Sequence, residues 1–148
     1  MADFAIEREV MIDAPVDVVW RTITEPDQIS QWFAQRVELE AKPGGHGYMD
    51  FGEQGGPVVV ETVDRPTCFS FRWNYPADEE PVAGNSILVE FTLEPDGDER
   101  TRLRVVESGH ELLAWPDAEK DRYTREHNGG WADFLDRLAR LHTERRNG

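Results

Sequence analysis

The chain of 148 residues has the length of one ordinary domain, and we expect a single domain over residues 1–148. Apolar residues make up 39% of it, which excludes wholesale disorder, and no apolar run approaches the roughly 18 residues that a membrane helix needs. We therefore expect no membrane span, and because the net charge of −14 repels phosphate backbones, we also expect no nucleic-acid partner.

The N-terminal sequence and the cysteine content indicate a cytoplasmic protein. The segment MADFAIEREV contains neither the basic region nor the apolar region of a secretory signal. Cys68 is the only cysteine, so no internal disulfide forms, and we expect the protein in a reducing compartment. Its position gives it no neighbouring base, and we interpret it as a structural residue rather than a nucleophile.

The first part of the chain predicts a strand followed by two short helices. Apolar side chains alternate over residues 4–12, as they do in a strand with one buried face. Pro15 suits the first turn of a helix, and the apolar spacing over residues 16–23 is helical. A second short helix is expected after Pro26, with Ile29, Trp32 and Phe33 on its apolar side.

After Ala34 the apolar period changes from 3.6 to 2, which predicts six further strands. These strands are centred on residues 37–39, 48–51, 58–63, 68–75, 87–93 and 103–107. The segment KPGGHG is a glycine-rich turn, and Asp96-Gly97 predicts a hairpin. Strands joined by hairpins favour an antiparallel sheet with one solvated and one covered face.

The C-terminal segment HNGGWADFLDRLARL predicts a strongly amphipathic helix from Trp131 onward. WPDAEKDR is expected to be a loop that enters this last helix, with Tyr123 already on the apolar side of the helix. Each glycine of the pair Gly129 and Gly130 costs roughly 1 kcal/mol relative to alanine inside a helix. One hypothesis is that the pair lets the helix approach the sheet closely while Trp131 points inward. The alternative is that both glycines lie in a loop and the helix begins after them.

Two of these segments carry a family resemblance. IEREVMIDAPVDVVWRTITEPDQISQWF resembles the opening of the START-like superfamily, also called SRPBCC or polyketide cyclase/Bet v 1-like, and HNGGWADFLDRLARL is similar to the closing helix of its activator of Hsp90 ATPase homologue 1-like branch. The resemblance extends from Ile6 to about Leu141. It implies an α+β helix-grip fold. In that fold a curved antiparallel sheet of about seven strands surrounds a long C-terminal helix, two short helices follow the first strand, and an apolar cavity lies between sheet and helix.

The faces expected to point into that cavity are rich in aromatic side chains, which suits a planar or hydrophobic ligand. The candidate ligand-binding residues are Trp32, Phe33, Phe51, Val60, Phe71, Trp73, Phe91, Val105, Glu107, His127, Trp131, Phe134 and Leu135. The alternative is that the same side chains fill a solid core, and the aromatic count does not decide between the two.

Three polar residues share a face with apolar neighbours. Glu107 follows Leu103 and Val105 in strand parity, Arg8 has the parity of Ile6 and Val10, and His127 lies one helical turn before Trp131. A carboxylate and a guanidinium that face a cavity orient a polar ligand group or pair with each other. The alternatives place Glu107 and Arg8 at the rims of the sheet, and make His127 a surface or capping residue.

No motif of hydrolytic or metal-dependent catalysis is present, so we assign no catalytic residue, metal or cofactor. The chain has no G-x-S-x-G, H-E-x-x-H or C-x-x-C sequence, and its four histidines lack metal-ligand spacing.

The preferred function is binding of a hydrophobic or aromatic small molecule in the cavity, without catalysis. A cyclase- or hydratase-type enzyme that uses Glu107, Arg8 and His127 is one alternative, and a protein-interaction module related to chaperone ATPase activators is another. Exposed edge strands also favour a homodimer.

Overall fold

A computed structural model describes residues 5–50, 55–73, 86–109 and 116–147, with the side chains of the last helix described as far as Thr143. It contains the predicted order of one strand, two short helices, six strands and a long helix. The elements are β1 (Ile6–Ile12), α1 (Val16–Thr24), α2 (Pro26–Ile29), β2 (Arg36–Leu39), β3 (His46–Asp50), β4 (Gly55–Asp64), β5 (Cys68–Trp73), β6 (Ile87–Pro95), β7 (Thr101–Ser108) and α3 (Asp117–Asn147). The α+β class is therefore confirmed.

The seven strands form one antiparallel sheet in the order β1-β7-β6-β5-β4-β3-β2. Strand β7 lies between β1 and β6, and Glu107 is opposite Ile6 on one side and Val89 on the other. The predicted Asp96-Gly97 hairpin joins β6 to β7, with Gly97 at φ +75°. This topology places β7 next to the edge strand β1, and Glu107 near its end contacts Trp131 and His127 of α3.

One face of the sheet is covered and the other is solvated, as the alternating pattern predicts. Along β6 and β7 the inward side chains are at most 2% exposed, including Val89, Phe91 and Leu103. The outer face carries ion pairs such as that between Arg104 and Glu7, whose nearest atoms are 2.7 Å apart. These pairs are about half exposed and contribute little stability each.

The two short helices pack on the covered face together with α3, which gives the helix-grip arrangement. Trp20 of α1 meets Phe69 edge-on at a centroid distance of 6.2 Å. The C-terminal half of α3 packs against α1 through His142, which is 3% exposed and whose Nε2 lies 2.9 Å from Thr22 Oγ1. The carbonyl of Thr22 accepts a 3.0 Å hydrogen bond from the indole of Trp32. Thr22 thus links α1 both to α3 and to the segment after α2.

Helix α3 begins at Asp117, so the loop predicted over WPDAEKDR is wrong for residues 117–122. The Pro116 carbonyl accepts hydrogen bonds from the amides of Glu119 and Lys120, which closes the first turn. Asp117 and Glu119 place negative charge in that turn, where the helix dipole favours it. The polar sequence of this segment led to the loop prediction, although its proline and acidic residues are typical of the start of a helix.

The glycine pair lies inside α3, so the interpretation that placed it in a loop is wrong. The close-approach hypothesis also fails, because a Cβ atom at Gly129 would have no neighbour within 4 Å. At Gly130 a Cβ atom would meet only Phe134 Cε2, at an ordinary contact distance of 3.9 Å. Neither position requires glycine for space.

The double variant Gly129→Ala with Gly130→Ala is therefore expected to be more stable than the parent. Each substitution removes the helix penalty of glycine, so the free energy of unfolding should rise by about 2 kcal/mol in total. Urea denaturation followed by circular dichroism measures the change. Gly44→Ala is the matched control and should lower stability, because Gly44 has φ +79°. A lower urea midpoint for the double variant would contradict the expectation.

Candidate functional site

Seven aromatic side chains from three parts of the fold meet between α3 and the sheet. We call them the aromatic cluster: Trp32 and Phe33 after α2, Phe71 and Trp73 on β5, Phe91 on β6, and Trp131 and Phe134 on α3. All are buried except Phe134, which is partly exposed. The structure thus brings together every aromatic candidate of the sequence analysis except Phe51, which lies outside the described residues.

Three rings at the centre of the aromatic cluster lie nearly parallel. The ring of Phe33 is 5.1 Å from that of Trp131 and 5.7 Å from that of Trp73, with an interplanar angle of 17° in both pairs. The two indoles are 6.2 Å apart at 27°. These distances are those of rings in direct contact.

This contact decides where a ligand has room. A ring sandwiched between two others needs roughly 7 Å between their planes, about twice a carbon–carbon contact distance. Among the described residues, the space between Phe33, Trp73 and Trp131 is taken up by the rings themselves. A ligand would therefore lie at the margin of the aromatic cluster, and the cavity expected between sheet and helix stays a prediction.

The aliphatic candidates are buried on the same side of the molecule. Val60 on β4, Val105 on β7 and Leu135 on α3 are at most 3% exposed. Val105 is opposite Phe91 in the sheet, and Val60 is opposite Phe71. They extend the apolar surroundings of the aromatic cluster along both the sheet and the helix.

Glu107 faces inward, as its strand parity predicts, and the alternative that placed it at a solvated rim is wrong. Its side chain is 0% exposed. The indole nitrogen of Trp131 donates to Glu107 Oε2 at 2.5 Å, and His127 Nδ1 lies 3.4 Å from Glu107 Oε1. The two carboxylate oxygens therefore contact two different side chains of α3.

His127 is held against the margin of the aromatic cluster and is not a freely solvated surface residue. Its side chain is 22% exposed. The ring of Tyr123 stacks on it at a centroid distance of 3.6 Å and an angle of 23°, and the indole of Trp73 meets it edge-on at 6.1 Å. Stacking on one side and the Glu107 contact on another fix the orientation of the imidazole.

Tyr123 is a site residue that the sequence analysis did not include among its ligand-binding candidates. It is buried, with 7% exposure. The available signal was its spacing, since Tyr123, His127 and Trp131 follow one another at intervals of four residues along one helical face. The sequence analysis placed Tyr123 on the apolar side of the last helix but did not connect this spacing with the site.

Arg8 lies at the rim of the sheet, as the alternative to an inward-facing guanidinium expected. It is exposed, and its Nε donates to Asn128 Oδ1 at 2.7 Å. Because Arg8 is on the edge strand β1, this bond joins the edge of the sheet to α3 one residue after His127. Arg8 therefore borders the site from outside the aromatic cluster.

The remaining chemistry-bearing residues do not add to this site. Burial raises the pKa of the Cys68 thiol, and the nearby carboxylates of Glu90 and Asp64 raise it further. A raised pKa leaves less of the nucleophilic thiolate, which agrees with a structural role.

Within the described ranges, no group of three or more His, Cys, Asp or Glu side chains is placed to hold a metal ion. No helix in that part of the chain is long and apolar enough to cross a membrane.

Residues 13–143 match the model of a family described as activator of Hsp90 ATPase homolog 1-like protein. No curated protein matches the chain.

The chain is also similar to several solved structures. DynU16, a protein of the dynemicin biosynthetic locus, is 29% identical over 94% of this chain with a TM-score of 0.75, and the chain spans 47% of its length. MLL2253 from Mesorhizobium loti is 25% identical, with a TM-score of 0.75 and coverage of 93% and 95% of the two chains. The Aha1 dimer from Colwellia psychrerythraea shares the fold, at 20% identity, a TM-score of 0.74 and 96% coverage of each chain.

Proposed function

We propose that this chain, which belongs to the activator of Hsp90 ATPase homolog 1-like family, binds a planar hydrophobic small molecule beneath α3. The ligand would lie at the margin of the aromatic cluster, beside Trp73, His127 and Phe134. Contact with aromatic faces would supply affinity, and a small number of polar groups would set its orientation.

The observation that carries this proposal is the burial of Glu107. Leu103 and Val105 precede it on the same face of β7, so a third apolar residue would complete that face. Removing a carboxylate from water costs several kcal/mol, and well-packed apolar residues often replace buried charges without loss of stability. A core selected for stability alone therefore has no need of Glu107. A few polar groups converging in apolar surroundings are typical of a ligand site.

The margin of the aromatic cluster reaches the surface along α3. His127, Gly130 and Phe134 are all partly exposed, and their spacing of three and four residues places them on one helical face beside the buried Trp131. Gly130 has no side chain, and a Cβ atom at that position would meet the ring of Phe134 at 3.9 Å. A ligand that enters along this face meets His127 and Phe134 first.

The comparisons favour a small-molecule ligand over the other functions. DynU16, 29% identical, belongs to a biosynthetic locus, whereas a chaperone-related role rests on the description of the family alone. The predicted homodimer stays a prediction.

Fluorescence titration tests the proposal with two neutral probes, N-phenyl-1-naphthylamine and 2-tetralone. We expect each to bind saturably and to quench the emission of the five tryptophans. Phe134→Ala should weaken binding about fivefold, because one aromatic face contributes about 1 kcal/mol. Tyr48→Ala is the control and should bind normally, since Tyr48 lies on β3 and is 44% exposed.

Two results would overturn the proposal. One is that neither probe binds saturably below about 1 mM, a dissociation constant that corresponds to only about 4 kcal/mol of binding free energy. The other is equal affinity of the Phe134→Ala and Tyr48→Ala proteins, which would place the bound probe elsewhere. Native mass spectrometry of each titrated sample checks the expected stoichiometry of one probe per chain.

A further inference from the structure

Resting on the ligand-binding function proposed above, we infer that His127 and Glu107 form an acid–base dyad that removes a proton from the bound molecule. His127 Nδ1 lies 3.4 Å from Glu107 Oε1, so the imidazole directs one nitrogen toward the buried carboxylate and the other away from it. The two residues come from different elements, β7 and α3, and only the fold brings them together.

The surroundings hold both members of the dyad in place. Glu107 Oε2 accepts the indole N–H of Trp131, so the carboxylate is oriented by a second donor. The imidazole of His127 is stacked on Tyr123 and meets Trp73 edge-on, which restricts rotation of the ring. A histidine oriented by a carboxylate is the arrangement that recurs wherever imidazole acts as a general base.

The contact selects the tautomer that the reaction needs. A carboxylate at Nδ1 favours the proton on Nδ1, which leaves the lone pair on Nε2. When Nε2 takes a proton from the ligand, the imidazolium is stabilised by the carboxylate of Glu107. His127 is the catalytic residue in this scheme, and Glu107 is a positioning residue.

The exposure of the two side chains matches these roles. The side chain of His127 is 22% exposed, so a molecule at the margin of the aromatic cluster can reach its ring. Glu107 is 0% exposed and contacts His127, so it acts on the bound molecule through that imidazole. A buried ion pair formed for stability alone would not need one member at the ligand-accessible face of α3.

The chemistry of the site points to a neutral carbonyl compound whose acidic C–H group lies between an aromatic ring and the carbonyl. The aromatic rings favour a planar aromatic body, and the buried carboxylate disfavours an anionic one. In the step, the C–H bond breaks, its electron pair remains on the substrate as an enolate, and the proton moves to His127 Nε2. Return of that proton to a carbon of the enolate restores neutral His127, so no oxidant or reductant is consumed.

Proton exchange of 2-tetralone in D2O tests this inference directly. Proton nuclear magnetic resonance follows the loss of the C1 hydrogens with saturating protein and with buffer alone. The protein should accelerate exchange, and His127→Gln should lower the accelerated rate about 100-fold or more. Glu107→Gln should lower it at least about tenfold with less than about a threefold change in the 2-tetralone dissociation constant, because the residue acts on the base and not on binding. His46→Gln, on β3, should exchange at the parent rate.

The outcomes separate this inference from the function on which it rests. If 2-tetralone binds but exchanges at the buffer rate, or if exchange survives His127→Gln, the dyad is wrong and the binding function stands. If N-phenyl-1-naphthylamine binds and 2-tetralone does not, the substrate class is wrong and the inference falls with it. If neither probe binds, both fall. His127→Gln changes a partly exposed residue, so it decides the question even where Glu107→Gln fails to fold.

Discussion

Replacing Trp131 with alanine is expected to lower the free energy of unfolding by about 3–5 kcal/mol, the usual range for removal of a large buried aromatic side chain. Trp131 is 2% exposed. Its indole contacts the rings of Phe33, Trp73 and Phe91, so its removal leaves a cavity bordered on several sides. It also takes the indole N–H away from the buried carboxylate of Glu107, which adds to the loss. Most domains are stable by only about 5–15 kcal/mol, so the variant should be close to unfolding.

Trp131→Phe separates the two contributions. Phenylalanine keeps an aromatic ring among its neighbours but has no N–H for Glu107, so we expect a smaller loss of about 1–3 kcal/mol. Urea denaturation of the three proteins at one pH gives the ranking. If Trp131→Ala costs less than about 1 kcal/mol, Trp131 borders an open void and is not part of the packed aromatic cluster. In that case the loss of binding free energy for N-phenyl-1-naphthylamine, measured on the folded variants, should exceed the loss in the free energy of unfolding.

The second large effect is expected at Glu107. Glu107→Ala should lower the free energy of unfolding by about 1–3 kcal/mol, because the indole N–H of Trp131 is left buried without this acceptor. Glu107→Gln keeps an oxygen that accepts the same hydrogen bond and should cost less. The comparison distinguishes a lost acceptor from a lost charge.

A double-mutant cycle isolates the contact between Glu107 and Trp131. Glu107→Leu leaves the indole N–H of Trp131 without this acceptor, and Trp131→Phe leaves Glu107 without this donor, whereas the double variant removes both groups. We expect the double variant to be more stable than the sum of the two single losses predicts, by at least about 1 kcal/mol. Additive losses would show that the hydrogen bond contributes nothing to folding. Thr143→Ala, at an exposed position of α3, is a control and should change stability by less than about 0.5 kcal/mol.

Much of the site was predictable because strand parity is a local property. The alternation along 103–107 predicts which way Glu107 points from the residues two and four positions before it. The same rule predicts the inward faces of β5 and β6, and the structure buries Phe71, Trp73 and Phe91 on those faces. The helical period identified Trp131 in the same way, because it is the first residue of a strongly amphipathic run.

The errors lie where local patterns compete. The polar sequence before Trp131 is typical of a loop, yet the acidic residues of its first turn stabilise the beginning of α3. The glycine pair lowered the helix propensity at the centre of that helix. The loop predicted over WPDAEKDR therefore left residues 117–122 out of the helix, and the acidic first turn of α3 with them.

The sequence by itself determined the number and order of the strands, the long closing helix, and the faces on which Glu107 and the aromatic side chains lie, because these follow from periodicity over a few residues. Only the tertiary structure decided which of those side chains meet. The contact of Trp131 with Glu107 joins residues 24 positions apart, and that of His142 with Thr22 joins residues 120 positions apart. Such pairings depend on how strands are ordered and how a helix lies across them, and no local period encodes either.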